Sequence, residues 1–158
     1  MPLKPGDAAP AVTLPSHELK PVPLADEWSR GPLVVLFFPL AFTSTCTEEL
    51  CAVRDDWASY EKLGARVAAV SVDSPFVLQR FRAEIGADYP FLSDFNRQAA
   101  EGFGVVRTDP VGPGLRNAAD RAAFVIDREG VVRYAWHSAN PGLIPPFEEI
   151  KAALADLG

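Results

Sequence analysis

Residues 33–46 read LVVLFFPLAFTSTC, and the fold of the chain turns on them. Leu33–Phe38 is an unbroken run of apolar, β-branched and aromatic residues, the pattern of a strand buried on both faces. Pro39 ends it, because proline has no N–H to give to a ladder. Beyond Pro39 the period changes. Leu50, Val53, Trp57 and Tyr60 recur at spacings of 3, 4 and 3, which predicts a helix. Thr43 or Ser44 is its expected N-cap and Gly64 its C-terminal stop. A buried strand therefore turns directly into a helix, and Cys46 falls in the first turn of that helix.

Working outward, Ala11–Leu14 reads as a short strand, and Pro21–Leu24 as an edge or a loop because of its two prolines. Arg66–Val72 is a second buried strand. Pro75–Ile85 is a helix with proline at its start and Gly86 at its end. Pro90–Asp94 is a short extended piece, and Gln98–Phe103 one or two helical turns. Val105–Asn117 is a Gly/Pro-rich loop, too short and too central to link two domains. Ala122–Asp127 and Val131–His137 predict a hairpin, and Phe147–Leu157 an amphipathic closing helix. Alternating β and α followed by an antiparallel pair predicts an α/β, thioredoxin-like fold, a mixed central sheet flanked by helices.

The chain has 158 residues, 48% apolar and 23% charged. That predicts one domain over 1–158 with a sizeable core. A net charge of −6 and a pI near 4.9 argue against binding to nucleic acid or an anionic membrane. The longest apolar stretch, Pro32–Phe42, falls short of the roughly 18 residues that span a bilayer. The N-terminus has no apolar core of a secretory signal, so a cytoplasmic location is expected. There, a pair of cysteines points to redox chemistry rather than to a permanent staple.

Helix N-termini favour a thiolate, through their unpaired N–H groups and the helix dipole. Thr43 adds a donor and an acceptor three residues before Cys46. The Pro39 ring can shield the sulfur from water. A thiolate, a hydroxyl and free N–H groups in one small pocket suit a compact electrophile with two oxygens. Two other readings set Cys46 as a buried small hydrophobe and Thr43 as a cap only.

Pro39, Thr43 and Cys46 together form PxxxTxxC, and in this the chain resembles the peroxiredoxins. FFPLAFT is most similar to the AhpE type. Asp120–Asp127 (DRAAFVID) resembles the family's strand carrying an active-site arginine, and the element order agrees from about residue 3 to the end. The resemblance implies a thiol peroxidase with no metal, flavin or haem. Cys46 would attack the peroxide and become a sulfenic acid. Thr43 would hydrogen-bond the peroxide and Pro39 would shield. Arg121 would stabilise the thiolate and polarise the O–O bond, and Glu49 would orient Arg121. Arg116 and, more weakly, Arg54 compete with Arg121 for its role, and a solvated helix surface is the alternative for Glu49.

Cys51 lies five residues beyond Cys46, a spacing that resembles the PrxQ, or bacterioferritin-comigratory, subgroup, where a second cysteine resolves the first. The AhpE-like context instead implies a one-cysteine cycle with an external resolving thiol. Either cycle draws electrons from a thioredoxin, glutaredoxin or mycoredoxin-type partner. The resemblance also implies a homodimer, with Phe42, Phe95, Phe103 and the Pro110–Leu115 loop as apolar material near the site. Rivals of other classes are a peroxide-sensing redox module and a dithiol–disulfide oxidoreductase, the latter weakened by the lack of Cys-x-x-Cys. A zinc set of Cys46, Cys51 and His137 lacks a fourth ligand.

Overall fold

In the computed structural model, which describes residues 1–157, the strand–turn–helix unit occupies the middle of a five-stranded sheet. The elements run β1 (Thr13–Pro15), β2 (Pro21–Pro23), α1 (Leu24–Arg30), β3 (Leu33–Phe37), α2 (Ser44–Asp55), α3 (Trp57–Lys62), β4 (Arg66–Ser71), α4 (Pro75–Ile85), β5 (Phe91–Ser93), α5 (Gln98–Phe103), β6 (Arg121–Ile126), β7 (Val132–Ser138) and α6 (Phe147–Leu157). The main sheet has the order β5-β4-β3-β6-β7. Its β3, β4 and β5 are parallel, while β6 and β7 run antiparallel to their neighbours. β1 and β2 pair separately. This is the mixed, helix-flanked sheet of a thioredoxin-like fold.

Every residue of β3 is buried, because its two faces feed two cores. Val34 and Leu36 pack towards α2, α3, α4 and α6, through residues such as Leu50, Tyr60, Phe81 and Ile150. Leu33, Val35 and Phe37 pack towards α1 and α5, through Leu24, Trp28 and Phe103. Phe103 thus has no exposed surface and supplies nothing to a dimer face, contrary to its expected place there. Its ring packs against Phe37 and Phe124 inside the second core.

α4 has the predicted bounds. Ser74 Oγ accepts from Val77 N at 3.3 Å, Pro75 opens the helix, and Gly86 closes it at φ 75°. The predicted helix from residue 44 towards Gly64 is instead two helices. Asp56 interrupts it at φ −108°, ψ 21°, its carboxylate held by Ser59 Oγ and by Lys151 Nζ of α6, each at 2.6 Å. α1 is an element that the sequence reading left unassigned. Among the described residues no helix is long and apolar enough to cross a membrane.

Candidate active site

Cys46 sits where the end of β3 meets the first turn of α2, under the start of β6. Cys46, Glu49, Leu50 and Val53 form the buried stripe of α2. Arg121 projects from β6 into the same face of the sheet, and its side chain is 1% exposed. Its Nη2 donates to Cys46 Sγ at 3.1 Å, and its Nη1 to Glu49 Oε1 at 2.9 Å. The main chain completes the grip, as Nε and Nη2 both donate to Pro141 O, at 3.2 and 2.9 Å. One cation is thereby fixed between a sulfur, a carboxylate and a carbonyl.

Burial pushes the Glu49 carboxyl up to about 7, against the pull of Arg121. Its Oε2 is buried with no hydrogen-bond partner. Burial also works against the Arg121 cation, but Glu49 and Cys46 outweigh it and hold its pKa above the usual guanidinium value. The site carries a permanent positive charge in a place with little water, where such a charge acts most strongly on a sulfur or on a developing oxyanion.

The expected residues meet at Arg121, which bonds the fully buried Cys46 and Glu49 and itself reaches a cleft. Pro39, Thr43 and Arg121 line one cleft of about 300 Å³ together with Ser44, Thr45, Val111, Pro141 and Gly142. Thr43 is the N-cap residue, but its hydroxyl donates to Leu40 O at 3.1 Å instead of capping the helix. The first backbone bond of the helix runs from Thr47 N to Thr43 O, so the N–H groups of residues 44–46 precede the ladder. Glu49 is not a solvated surface residue. Arg116 is exposed, and Arg54 binds Asp55 and Ile85 O instead of Cys46. Arg121 therefore is the arginine that reaches the sulfur.

Cys51 lies elsewhere on α2. It is half-buried and lines a second cleft of about 300 Å³ with Phe42, Thr47, Arg54, Phe81, Glu84 and Ile85. A larger cleft of about 380 Å³, lined by Trp57, Arg66 and Tyr89 among others, contains neither cysteine. His17 accepts from Phe91 N, and His137 pairs with Asp120. Among the described residues no three His, Cys, Asp or Glu side chains converge as metal ligands would. Sequence reasoning missed Val111, Pro141 and Gly142. Pro141 acts through a main-chain carbonyl, which leaves no mark in side-chain identity. Val111 stood in the Pro110–Leu115 loop, which was expected near the site as apolar material for pairing and not as a wall of the cleft.

Known proteins resemble this chain in sequence and in fold. The AhpC/TSA family pattern matches residues 5–135. Peroxiredoxin Bcp of Escherichia coli K12 is 33% identical over 135 residues, covering 85% of this chain and 86% of its own. The structure of peroxidoxin BcpB from Mycobacterium tuberculosis superposes with a TM-score of 0.85 at 29% identity, covering 99% of both chains. A peroxiredoxin-like protein from Aquifex aeolicus gives 0.87 at 26% identity, covering 100% of this chain and 90% of its own. Matched along nearly its whole length in sequence and in fold, the chain belongs to the AhpC/TSA family, as a peroxiredoxin of the Bcp/PrxQ type and so a thiol-dependent peroxidase.

Proposed function

We propose that Cys46 is the peroxidatic cysteine and that hydrogen peroxide and small organic hydroperoxides are its substrates. The observation that carries this reading is the 3.1 Å bond from the buried Arg121 guanidinium to Cys46 Sγ. The Cys46 thiolate attacks one peroxide oxygen. An S–O bond forms as the O–O bond breaks, and the electron pair leaves on the distal oxygen, which takes a proton and departs as water or an alcohol. The sulfur is left as a sulfenic acid. Arg121 stabilises the thiolate before the step and the leaving oxygen during it. Glu49 and Pro141 O hold Arg121 in place. The Thr43 hydroxyl and the N–H groups of residues 44–46 hold the peroxide, and Pro39 screens the sulfur. Beside the hydroperoxide group the cleft has room for a small alkyl chain, with Val111 as an apolar wall.

Cys51 then resolves the sulfenic acid. Its thiolate attacks the Cys46 sulfur, an S–S bond forms and hydroxide leaves as water. Positions five apart on a helix are about 140° apart around the axis and about 7.5 Å apart along it, farther than the approximate limit of about 7 Å between Cα atoms for a disulfide. The first turns of α2 must therefore unwind. A thioredoxin, glutaredoxin or mycoredoxin-type dithiol reduces the disulfide, in the cytoplasm where such reductants work. The half-burial of Cys51 in a continuous helix supports a second reading, in which an external thiol resolves Cys46 directly. Phe42, Phe95 and Leu115, each at least half exposed, support pairing of two copies beside the site.

The experiment is Cys46→Ser assayed for peroxide reduction with a dithiol reductant. The variant is expected to fold and to lose turnover. Turnover within about tenfold of the parent would assign the chemistry to another group, since loss of the nucleophile costs far more than that.

A further inference from the structure

Arg107 and Asp120 form a buried pair beside the site, met from the more exposed side by His137, and the chemistry above does not use them. Arg107 lies between α5 and β6, on a segment tied to the approach to β6. Arg107 N donates to Ala118 O at 2.7 Å, and Asp120 N to Val105 O at 2.8 Å. The Arg107 side chain is 9% exposed. Its Nη1 donates to Asp120 Oδ1 at 3.0 Å and to Ala139 O at 2.6 Å. Asp120 Oδ2 pairs with His137 Nε2 at 2.8 Å. Burying a guanidinium is costly unless it is paired, and here even the pairing is incomplete, since the buried Nε has no partner.

Two arginines hold one short loop. Arg107 binds the carbonyl of Ala139, and Arg121 binds the carbonyl of Pro141. Between them the loop is bonded to itself. Asn140 N donates to Ser138 Oγ at 3.0 Å, Gly142 N to Asn140 Oδ1 at 2.9 Å, and Leu143 N to Asn140 O at 3.2 Å. A shift at Ala139 is passed to Pro141, and Pro141 O is one of the acceptors that aim Arg121 at Cys46. The geometry points to Arg107 as a positioning residue for peroxide reduction. Anchored by Asp120 and His137, it fixes the 138–142 loop whose Pro141 carbonyl aligns Arg121 on the sulfur. This inference rests on the roles proposed above for Cys46 and Arg121.

The test compares Arg107→Met, Arg107→Lys, Arg121→Ala and the Arg107→Met/Arg121→Ala pair, all reduced. Two quantities are read: the second-order rate of sulfenic acid formation and Tm. Arg107→Met is expected to slow peroxide attack roughly tenfold to hundredfold, the scale of an ångström-sized misplacement. Arg107→Lys, which keeps a cation within reach of Ala139 O, recovers most of the rate. In the Arg121→Ala background Arg107→Met causes no further loss, because it acts through Arg121. Should Arg107→Met fail to fold, Asp120→Asn and His137→Gln loosen the same anchor and should show a smaller loss of the same kind. A folded Arg107→Met with a rate within about twofold of the parent would overturn the role of Arg107, and so would an equal loss with and without Arg121. An Arg121→Ala variant as fast as the parent would instead bring down the site assignment and this inference with it.

Discussion

Replacing Glu49 by Gln isolates the buried ion pair through its pH dependence. Glu49 is fully buried, with Oε1 on Arg121 and Oε2 on nothing. Burial raises its carboxyl from 4.5 to about 7, with Arg121 pulling the other way. An acid whose pKa rises on folding stabilises the folded chain in its protonated form. Its contribution is complete below 4.5 and is lost as the pH climbs through about 7. At about 1.4 kcal/mol per unit, the loss across that window is about 3 kcal/mol. Glutamine keeps the shape and the acceptor for Arg121 Nη1, and it does not ionise. The Gln variant should therefore gain about 3 kcal/mol on the parent between acid and mildly alkaline pH. With a urea m-value of about 2 kcal/mol/M this is about 1.5 M in midpoint. The assay is urea unfolding followed by circular dichroism in half-unit pH steps. Both proteins carry Cys46→Ser, so that the thiol does not titrate. A difference flat to within about 0.5 kcal/mol would refute the reasoning, because attraction to Arg121 would then cancel the desolvation of the carboxylate.

The other expectations concern the arginine, the second thiol and assembly. Arg121→Ala should slow peroxide attack at least about a hundredfold, the cost of removing a preorganised donor. Arg116→Ala, altering an exposed side chain, should stay within about twofold; stopped-flow rates on both variants identify the arginine that matters. One equivalent of peroxide should lower the intact mass of the parent by two hydrogens and reduce its helical circular dichroism, whereas Cys51→Ser should gain one oxygen and over-oxidise readily. A parent that itself stops at sulfenic acid, with Cys51 still open to alkylation after denaturation, assigns the second step to an external thiol. Sedimentation at tens of micromolar should give twice the 17.1 kDa chain mass, and a single-chain mass would reject pairing through Phe42 and Phe95.

The central strand, α4 and α6 were legible because local pattern and tertiary environment demand the same thing of them. Leu33–Phe37 has only apolar side chains to offer, and the sheet buries both of its faces. α1 was not legible. It is seven residues long, too short for propensity to declare itself; Leu24 and Trp28, four apart and both buried, were the available signal. The break at Asp56 was hidden by the periodicity of Leu50, Val53, Trp57 and Tyr60, which runs straight across it. Its visible partners are Lys151, 95 residues away, and Ser59. At the site, Cys46, Thr43 and Pro39 could be named from their place where the buried strand turns into the helix, whereas Arg121 and Glu49 were named through the resemblance to the peroxiredoxins. Pro141 could not, since any residue has a carbonyl. Arg107 could not either, because its partners Asp120 and Ala139 are brought to it by the fold.

The interruption at Asp56 also divides the protein into parts that can lose order separately. A continuous helix from residue 44 to 62 would transmit fraying from its first turns towards Trp57 and Tyr60, which pack against the core. Instead the α2 ladder ends at Asp56, whose own N–H closes on Ala52 O and Val53 O, and a new turn starts from Asp56 O to Ser59 N. Lys151 ties this junction to the C-terminal helix. Hydrogen exchange should then show α2 and α3 as distinct cooperative units, with the amides of residues 44–55 expected to open at lower free energy than those under Tyr60. Under the proposed resolution by Cys51, the turns that must unwind lie within this 12-residue segment, and the remaining core would be the template on which it re-forms.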